Sequence, residues 1–242
     1  RNRRIPMRRY KRHRDAACTV FRIGSKCRSE KRNLDSFLSL TMIKAVIFDF
    51  GRVISAQKPP SLFSQYEAEL GLPAGTINSI MFDSPAWQEA LVGRKTAGEF
   101  WAEIGPALGL HSKEAIEAFR RRYHADEKPD EEVIKLIRCL HGRYRLAVLS
   151  NSPPGLSQWL ADWGILDLFD VVFCSGDEGV AKPDRAAFEL TLKRLGVAPE
   201  EALFIDDAPE NVNAASAFGL HTILFTDAGK LAEELVRLSL ID

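Results

Sequence analysis

The sequence lacks the features that mark several specialised classes of protein. It carries no net charge, with 33 basic and 33 acidic side chains, so the composition indicates no dominant polyanionic partner. Its four cysteines show no CxxC or other metal-ligand spacing. The apolar run over residues 37–50 is interrupted by Lys44 and Asp49 and cannot span a bilayer. No signal-peptide pattern is found either, since no apolar h-region follows the charges. Reduced thiols in a cytoplasmic protein fit the four cysteines best, so we expect a cytoplasmic globular protein.

The neutral total hides an asymmetry between the start of the chain and the rest. Residues 1–41 hold thirteen Lys and Arg against three acidic residues, and they show no periodic apolar face. Such a segment is typical of disorder, of a transit peptide or of an arm that touches nucleic acid. Because Met42 opens the first strand as a natural start would, we expect 1–41 to be a disordered or non-native extension. The rest of the chain gives no reason to expect nucleic-acid binding.

The chain shows two different patterns of predicted secondary structure. From residue 55 the sequence indicates helices without strands, and from residue 130 helices alternate with short apolar strands. The predicted strands are 44–48, 146–149, 171–174, 203–205 and 222–225. Continuous apolar strands that alternate with helices indicate a parallel sheet covered on both faces. The sequence therefore predicts an α/β protein with a large helical insertion after its first strand.

Polar residues follow three of these strands at the point where each strand ends. They are Asp49, the pair Ser150-Asn151 and the pair Asp206-Asp207. Lys182 comes after the strand over 171–174. Because the carboxyl ends of parallel strands meet at one edge of a sheet, we expect these side chains to lie close together.

Two carboxylate sites, a hydroxyl and a lysine are the groups that phosphoryl transfer requires. Carboxylates hold Mg²⁺, the metal and a lysine neutralise the transferred group, and a serine with backbone amides orients its oxygens. Each residue also has an ordinary structural explanation, since Ser150 or Asp206 can cap a helix and Lys182 can be a solvated surface residue. Their expected convergence at one sheet edge is what favours a functional site.

Four motifs in this order give residues 43–242 a resemblance to the haloacid dehalogenase (HAD) superfamily. They are Phe48-Asp-Phe-Gly51, Leu149-Ser-Asn151, Lys182-Pro-Asp184 and Phe204-Ile-Asp-Asp207. The resemblance implies a hydrolase with a Rossmann-like core formed by residues 42–54 and 130–242. It also implies a small helical cap over 55–129, as in the helical-cap phosphatases similar to sugar-1-phosphate phosphatases.

The same resemblance implies a role for each motif residue. Asp49 would be the nucleophile that forms an aspartyl-phosphate intermediate. The groups expected to hold Mg²⁺ are Asp49, the carbonyl of Gly51, Asp206 and Asp207, with Asp207 the first choice of the acidic pair. The groups expected to bind substrate are Ser150, the amide of Asn151, Arg52 and Lys182, and Lys182 is also expected to act in catalysis.

Gly51 departs from the pattern that the resemblance implies. Phosphatases of the superfamily usually carry a second Asp at this position, which protonates the leaving group and activates water. Some members that resemble sugar-1-phosphate phosphatases also have Gly there, so the departure is compatible with activity. Arg52 is a second departure, because a glycine is usual at that position.

We predict a Mg²⁺-dependent phosphatase that acts on a small phosphorylated metabolite, as a monomer or a homodimer. Two alternatives stay open. The first is a HAD-like protein that binds a phosphorylated ligand with weak or no turnover. The second is a haloacid dehalogenase-type hydrolase. Dehalogenases also lack the second Asp, but their reaction needs no metal, and this leaves Lys182 and the Asp206-Asp207 pair less well explained.

Overall fold

The structure, a computed structural model, describes residues 42–242. The basic segment 1–41 lies outside the described residues, and so does the prediction that it is a disordered or non-native extension. Within the described part of the chain, no helix is both long enough and apolar enough to cross a bilayer.

Five helices follow the first strand, in the region where the sequence predicts a helical insertion. They are α1 Pro60–Leu70, α2 Thr76–Phe82, α3 Pro85–Leu91, α4 Ala97–Ile104 and α5 Lys113–Ala125. The start of α4 is fixed by a capping box, in which Thr96 and Glu99 satisfy each other's backbone N–H groups. These helices share an apolar cluster centred on Tyr66, Phe100 and Trp101, each at most 3% exposed.

Five parallel strands form one sheet in the order β3-β2-β1-β4-β5. The strands are β1 Ala45–Phe48, β2 Arg145–Ser150, β3 Val171–Cys174, β4 Ala202–Asp206 and β5 His221–Leu224. Each begins and ends within one residue of its predicted bounds. β1 lies at the centre, fully buried, between β2 and β4. The predicted α/β class with a Rossmann-like parallel sheet is confirmed.

Helices pack against both faces of this sheet. They are α6 Glu131–Leu140, α7 Leu156–Asp162, α8 Ser175–Glu178, α9 Arg185–Leu195, α10 Pro209–Phe218 and α11 Ala228–Arg237. Val46 and Phe48 of β1 face the core that contains residues of α6, α7 and α11, and Ala45 and Ile47 face the core that contains residues of α9 and α10. This alternation follows from the two-residue period of a strand.

A close backbone approach joins the helical insertion to α8, the short helix that follows β3. Gly93, just after α3, has a left-handed backbone, and a Cβ added to it would lie 2.3 Å from the carbonyl oxygen of Gly176 in α8. Only glycine therefore allows the loop after α3 to come this close. The contact holds the insertion against the short helix that leads toward Lys182.

Candidate active site

Three neighbouring strands bring acidic and hydroxyl side chains to one edge of the sheet. β1 pairs Phe48 with Val148 of β2 and with Ile205 of β4. Asp49, one residue beyond β1, therefore lies between Ser150 at the end of β2 and Asp206 at the end of β4. Its backbone N–H donates to the carbonyl of Ile205 at 2.8 Å, which extends the ladder by one bond.

The residue after Asp49 anchors this turn to the core. The ring of Phe50 is 5% exposed and stacks on Trp159 and Trp163, with centroids 5.5 Å and 5.4 Å away. Both indoles belong to α7 or its carboxyl end. Because the backbone of Asp49 bonds to β4 and the next side chain packs on α7, the carboxylate of Asp49 is held in place from two sides.

Lys182 joins the first and fourth strands at this edge. Its Nζ donates to Oδ1 of Asp49 at 2.7 Å and to Oδ2 of Asp206 at 2.6 Å, and its side chain is only 1% exposed. An ammonium group buried between two carboxylates forms charge-assisted hydrogen bonds to both, and its positive charge offsets part of the cost of burying the two negative charges.

Asn151 positions Lys182 through a reciprocal pair of hydrogen bonds. The side-chain Nδ2 of Asn151 donates to the carbonyl of Lys182 at 2.7 Å, and the backbone N–H of Lys182 donates to Oδ1 of Asn151 at 2.8 Å. The Asn151 side chain is thus engaged by the protein itself. A contact of Asn151 with substrate would have to come from its main chain.

Burial and charge shift the pKa values of this group in opposite directions. Burial raises the pKa of Asp49 to about 6, although Lys182 works to lower it and Asp206 adds to the rise. For Lys182, burial works to lower the pKa, but the carboxylates of Asp49 and Asp206 outweigh it and hold the pKa above its usual value. Lys182 therefore carries its charge at neutral pH.

Three carboxylates converge beside Lys182 and form a donor set for a hard cation. Asp49, Asp206 and Asp207 each offer one oxygen, and these oxygens all lie within 4.8 Å of one another. Oxygen ligands of this kind suit Mg²⁺. A Cβ added to Gly51 would lie 4.0 Å from Oδ2 of Asp49, so Gly51 is adjacent to the same cluster. The predicted metal-binding residues are close together, and their chemistry fits a divalent cation.

Asn211 was not assigned a role from the sequence. Its Nδ2 lies 3.1 Å from both carboxylate oxygens of Asp206, and the N–H of Ala208 donates to Oδ1 of Asp206 at 2.8 Å. These donors fix the orientation of a carboxylate that is fully buried. The signal in the sequence is the spacing, because Asn211 lies in the first turn of α10 and so points back toward the end of β4.

The left-handed residue in the turn after Asp49 is Arg52 rather than Gly51. Gly51 has an ordinary backbone at φ −64 and ψ 124, and Arg52 is left-handed at φ 60 and ψ 6. A glycine at position 52 would adopt this backbone without strain. The guanidinium of Arg52 pairs with Oδ2 of Asp207 at 2.5 Å. Burial raises the pKa of Asp207, and Arg52 works to lower it.

The comparisons with known proteins agree with this geometry. Residues 43–219 match the family model for haloacid dehalogenase-like hydrolases. A sesquiterpene phosphatase from Aspergillus oryzae is 30% identical over 204 residues, which cover 82% of this chain and 97% of that protein. An (S)-2-haloacid dehalogenase from Xanthobacter autotrophicus is 29% identical over 206 residues, covering 81% of this chain and 80% of that protein.

A solved structure gives the same picture of the fold. The HAD-like family hydrolase from Porphyromonas gingivalis superposes with a TM-score of 0.64 at 25% identity, covering 82% of this chain and 98% of that one. Lys182 and the carboxylates of Asp49, Asp206 and Asp207 together form a carboxylate–lysine cluster. The match to the family model extends from β1 to the end of α10 and so includes all four of these residues. The resemblance drawn from the four motifs is therefore confirmed, and the chain belongs to the haloacid dehalogenase-like hydrolases.

Proposed function

We propose that this protein is a Mg²⁺-dependent phosphatase that hydrolyses a small phosphorylated metabolite through an aspartyl-phosphate intermediate. The observation that carries the proposal is the buried Lys182 ammonium, 2.7 Å from Asp49 and 2.6 Å from Asp206, beside a cluster of three carboxylates. An arrangement of this kind supplies both the nucleophile and the positive charge that phosphoryl transfer needs.

The reaction would proceed in two displacements. A carboxylate oxygen of Asp49 attacks phosphorus, the bond from phosphorus to the leaving oxygen breaks, and the departing oxygen takes a proton from solvent. Water then attacks the phosphorus of the aspartyl-phosphate, which releases inorganic phosphate and restores Asp49. Lys182 neutralises charge on the phosphoryl oxygens, while the Ser150 hydroxyl and the Asn151 main-chain N–H orient them.

Mg²⁺, when bound, would withdraw charge from the phosphoryl group and so assist the attack of one anion on another. We assign its binding to Asp49, the Gly51 carbonyl and Asp207, with Asp206 in support. The assignment of the acidic pair follows from their surroundings, since Asp206 already accepts hydrogen bonds from Lys182, Ala208 and Asn211.

Residues 55–129 would act as the cap that sets substrate specificity over the core of 42–54 and 130–242. A cap of this kind can exclude water and select the leaving group. We further propose that the protein acts in the cytoplasm as a monomer or homodimer, with neither a membrane nor a nucleic acid as partner.

Family membership alone does not decide between phosphatase and dehalogenase, since the relatives include both. In a dehalogenase, Asp49 would attack carbon and release halide, a reaction that needs no metal. The convergence of Asp206 and Asp207 with Asp49 favours a metal-assisted reaction at phosphorus. A third possibility, a protein that binds phosphorylated ligands without turnover, differs from both in releasing neither product.

The proposal is tested by phosphate release from p-nitrophenyl phosphate. We expect turnover that depends on Mg²⁺, is abolished by EDTA and returns when Mg²⁺ is added in excess. Release of halide from 2-chloropropionate is measured beside it and is expected to be absent. Halide release without a metal would show dehalogenation instead, and phosphate binding without turnover of any phosphorylated metabolite would identify a binding protein.

Gly51 leads to a prediction about the leaving group. With glycine at this position, the turn supplies no carboxyl group to protonate a departing alkoxide, and general acid catalysis is typically worth about 10²–10⁴-fold. We therefore expect the wild-type protein to prefer leaving groups that are stable as anions, such as aryl, acyl or anomeric sugar phosphates. Hydrolysis of ordinary alkyl phosphates at equal rates would show that another residue donates the proton.

Gly51→Asp should restore part of this function. The backbone at Gly51 suits any residue, and the nearest atom to an added Cβ is Oδ2 of Asp49 at 4.0 Å. The nearby carboxylate of Asp49 would raise the pKa of the new side chain, so that it stays protonated up to a higher pH. We expect turnover of glycerol phosphate, measured as kcat/KM, to rise about tenfold or more relative to p-nitrophenyl phosphate. Gly51→Asn, which has the same size but no acidic proton, should show no such change in the ratio.

A further inference from the structure

Arg52 combines two features that call for an explanation together. Its backbone is left-handed, at φ 60 and ψ 6, which is unfavourable for a residue with a side chain. Its guanidinium lies 2.5 Å from Oδ2 of Asp207, one of the three carboxylates suited to hold the cation. Strained backbone of this kind persists where the surrounding structure demands it, and it concentrates at functional sites.

Lys182 and Arg52, the two basic side chains beside the three carboxylates, differ in their freedom to move. The side chain of Lys182 is 1% exposed and is bonded to two carboxylates, whereas the side chain of Arg52 is 63% exposed. The backbone of Arg52 is held separately, because its N–H donates to Oγ of Ser55 at 3.2 Å. The guanidinium of Arg52 can therefore turn into solvent without disturbing the turn that carries Asp49.

The charge balance of the site indicates that a basic side chain would move away when a divalent ion binds. Three carboxylates and two cations leave the cluster with one negative charge, and a divalent ion would reverse that sign. Repulsion between a divalent ion and a guanidinium a few ångströms away is substantial even near the protein surface. Of Lys182 and Arg52, only Arg52 has solvent to move into.

We propose that Arg52 is a built-in competitor for the divalent cation: it holds the carboxylate of Asp207 in the metal-free protein and releases it when the metal binds. The inference rests on the Mg²⁺ dependence of the proposed function and adds a regulatory element to it. Arg52 acts here as a positioning residue for Asp207. It sets the Mg²⁺ concentration at which the site fills.

Arg52→Gln is expected to tighten Mg²⁺ binding about two- to fivefold, because the ion pair between Arg52 and Asp207 then no longer has to break when the metal binds. The dissociation constant is measured by isothermal titration calorimetry of Mg²⁺ into the full-length protein, after EDTA treatment and dialysis. This measurement needs no substrate, so it separates metal binding from turnover.

Two control variants isolate the charge of Arg52. Arg52→Lys keeps both the charge and the backbone strain, and its affinity should stay close to that of the wild type. Arg237→Gln in α11 removes an exposed arginine that is also paired with a carboxylate, Glu234, and should leave Mg²⁺ affinity unchanged. Tighter binding in Arg237→Gln as well would show that net charge alone is responsible and would overturn the inference.

The remaining outcomes separate this inference from the proposed function. Equal or weaker Mg²⁺ binding by Arg52→Gln overturns the role of Arg52 and leaves a Mg²⁺-dependent phosphatase intact. Tighter binding by Arg52→Gln in a protein that releases no phosphate supports the role of Arg52 and contradicts the phosphatase. If no variant binds Mg²⁺ at millimolar concentrations, both are wrong.

Discussion

Asp49→Asn is expected to lower turnover of p-nitrophenyl phosphate by about 10³-fold or more, the scale of loss seen when a nucleophile is removed. Asparagine has nearly the shape of Asp49 and can still accept a hydrogen bond from Lys182. It lacks the anionic oxygen that attacks phosphorus, so the aspartyl-phosphate cannot form. The measurement is kcat with saturating Mg²⁺ and substrate. Asp227→Asn, the same chemical change at the exposed N-cap of α11, is the matched control and should retain full activity.

The stability of Asp49→Asn shows whether a loss of activity comes from unfolding. Burial raises the pKa of Asp49 from 3.8 to about 6. The stability that a raised pKa contributes is fully present below the unfolded-state pKa and is lost as pH rises through the folded-state value. In EDTA, the free energy of unfolding of the wild type should therefore fall by up to about 3 kcal/mol relative to that of Asp49→Asn between pH 4 and pH 6. This figure follows from about 1.36 kcal/mol per pKa unit.

Urea unfolding at pH 4, 5, 6 and 7 measures this difference. The expected result is an inactive Asp49→Asn protein that is at least as stable as wild type at pH 7 in the absence of metal. A variant that is inactive and also much less stable than wild type at pH 7 would contradict the conclusion that burial of the Asp49 charge destabilises the metal-free protein. Retention of more than a small fraction of wild-type turnover would remove Asp49 as the nucleophile.

The strands and the edge that carries the site were predictable from the sequence. Buried parallel strands are continuous apolar runs, so the pattern over 171–174 gives the bounds of β3 without error. Once the strands are known, parallel pairing places their carboxyl ends, and with them Asp49, Ser150 and Asp206, at one edge of the sheet. The alternation with helices indicates this direction, whereas the strand order that makes β1 the neighbour of both β2 and β4 comes from the structure.

The side-chain pairings within the site were not predictable in the same way. The bond network between Asn151 and Lys182 joins residues 31 positions apart, and it depends on how the loop before α9 folds back. The pairing of Arg52 with Asp207 depends on a left-handed backbone at a position where a side chain is disfavoured. The one-turn helix α8 was also missed, because Ser-Gly-Asp-Glu has no apolar period. Sequence patterns specify burial and direction better than they specify loop geometry.

The buried position of Lys182 leads to the largest expected effect on stability. Asp49 is 7% exposed and Asp206 is fully buried, and both bond to the Lys182 ammonium. Removing one partner from a buried ion pair leaves charge without compensation and typically costs about 3–5 kcal/mol. We expect Lys182→Met to lower the free energy of unfolding by about this amount at pH 7 in EDTA, and to abolish turnover.

Three further measurements give this prediction its controls. Lys230→Met removes an exposed lysine paired with Asp227 and should change stability by less than about 0.5 kcal/mol. If Lys182→Met is too unstable to study, Lys182→Met/Asp206→Asn removes one of the two carboxylates that repel each other, and it should be more stable than the single variant. Excess Mg²⁺ should restore part of the lost stability in Lys182→Met, because a divalent ion between the same carboxylates compensates their charge.

The pH dependence of the free energy of unfolding shows whether lost charge or lost packing destabilises Lys182→Met. Lys182 works to lower the pKa of Asp49, so without it the pKa of Asp49 rises beyond about 6. A raised folded-state pKa gives stability at low pH that is lost as pH increases. The deficit of Lys182→Met relative to wild type should therefore shrink from pH 7 toward pH 4, as the carboxylates become protonated. A deficit that stays constant over this range would mean that Lys182 stabilises the fold through its aliphatic packing, and that the two carboxylates do not depend on its charge.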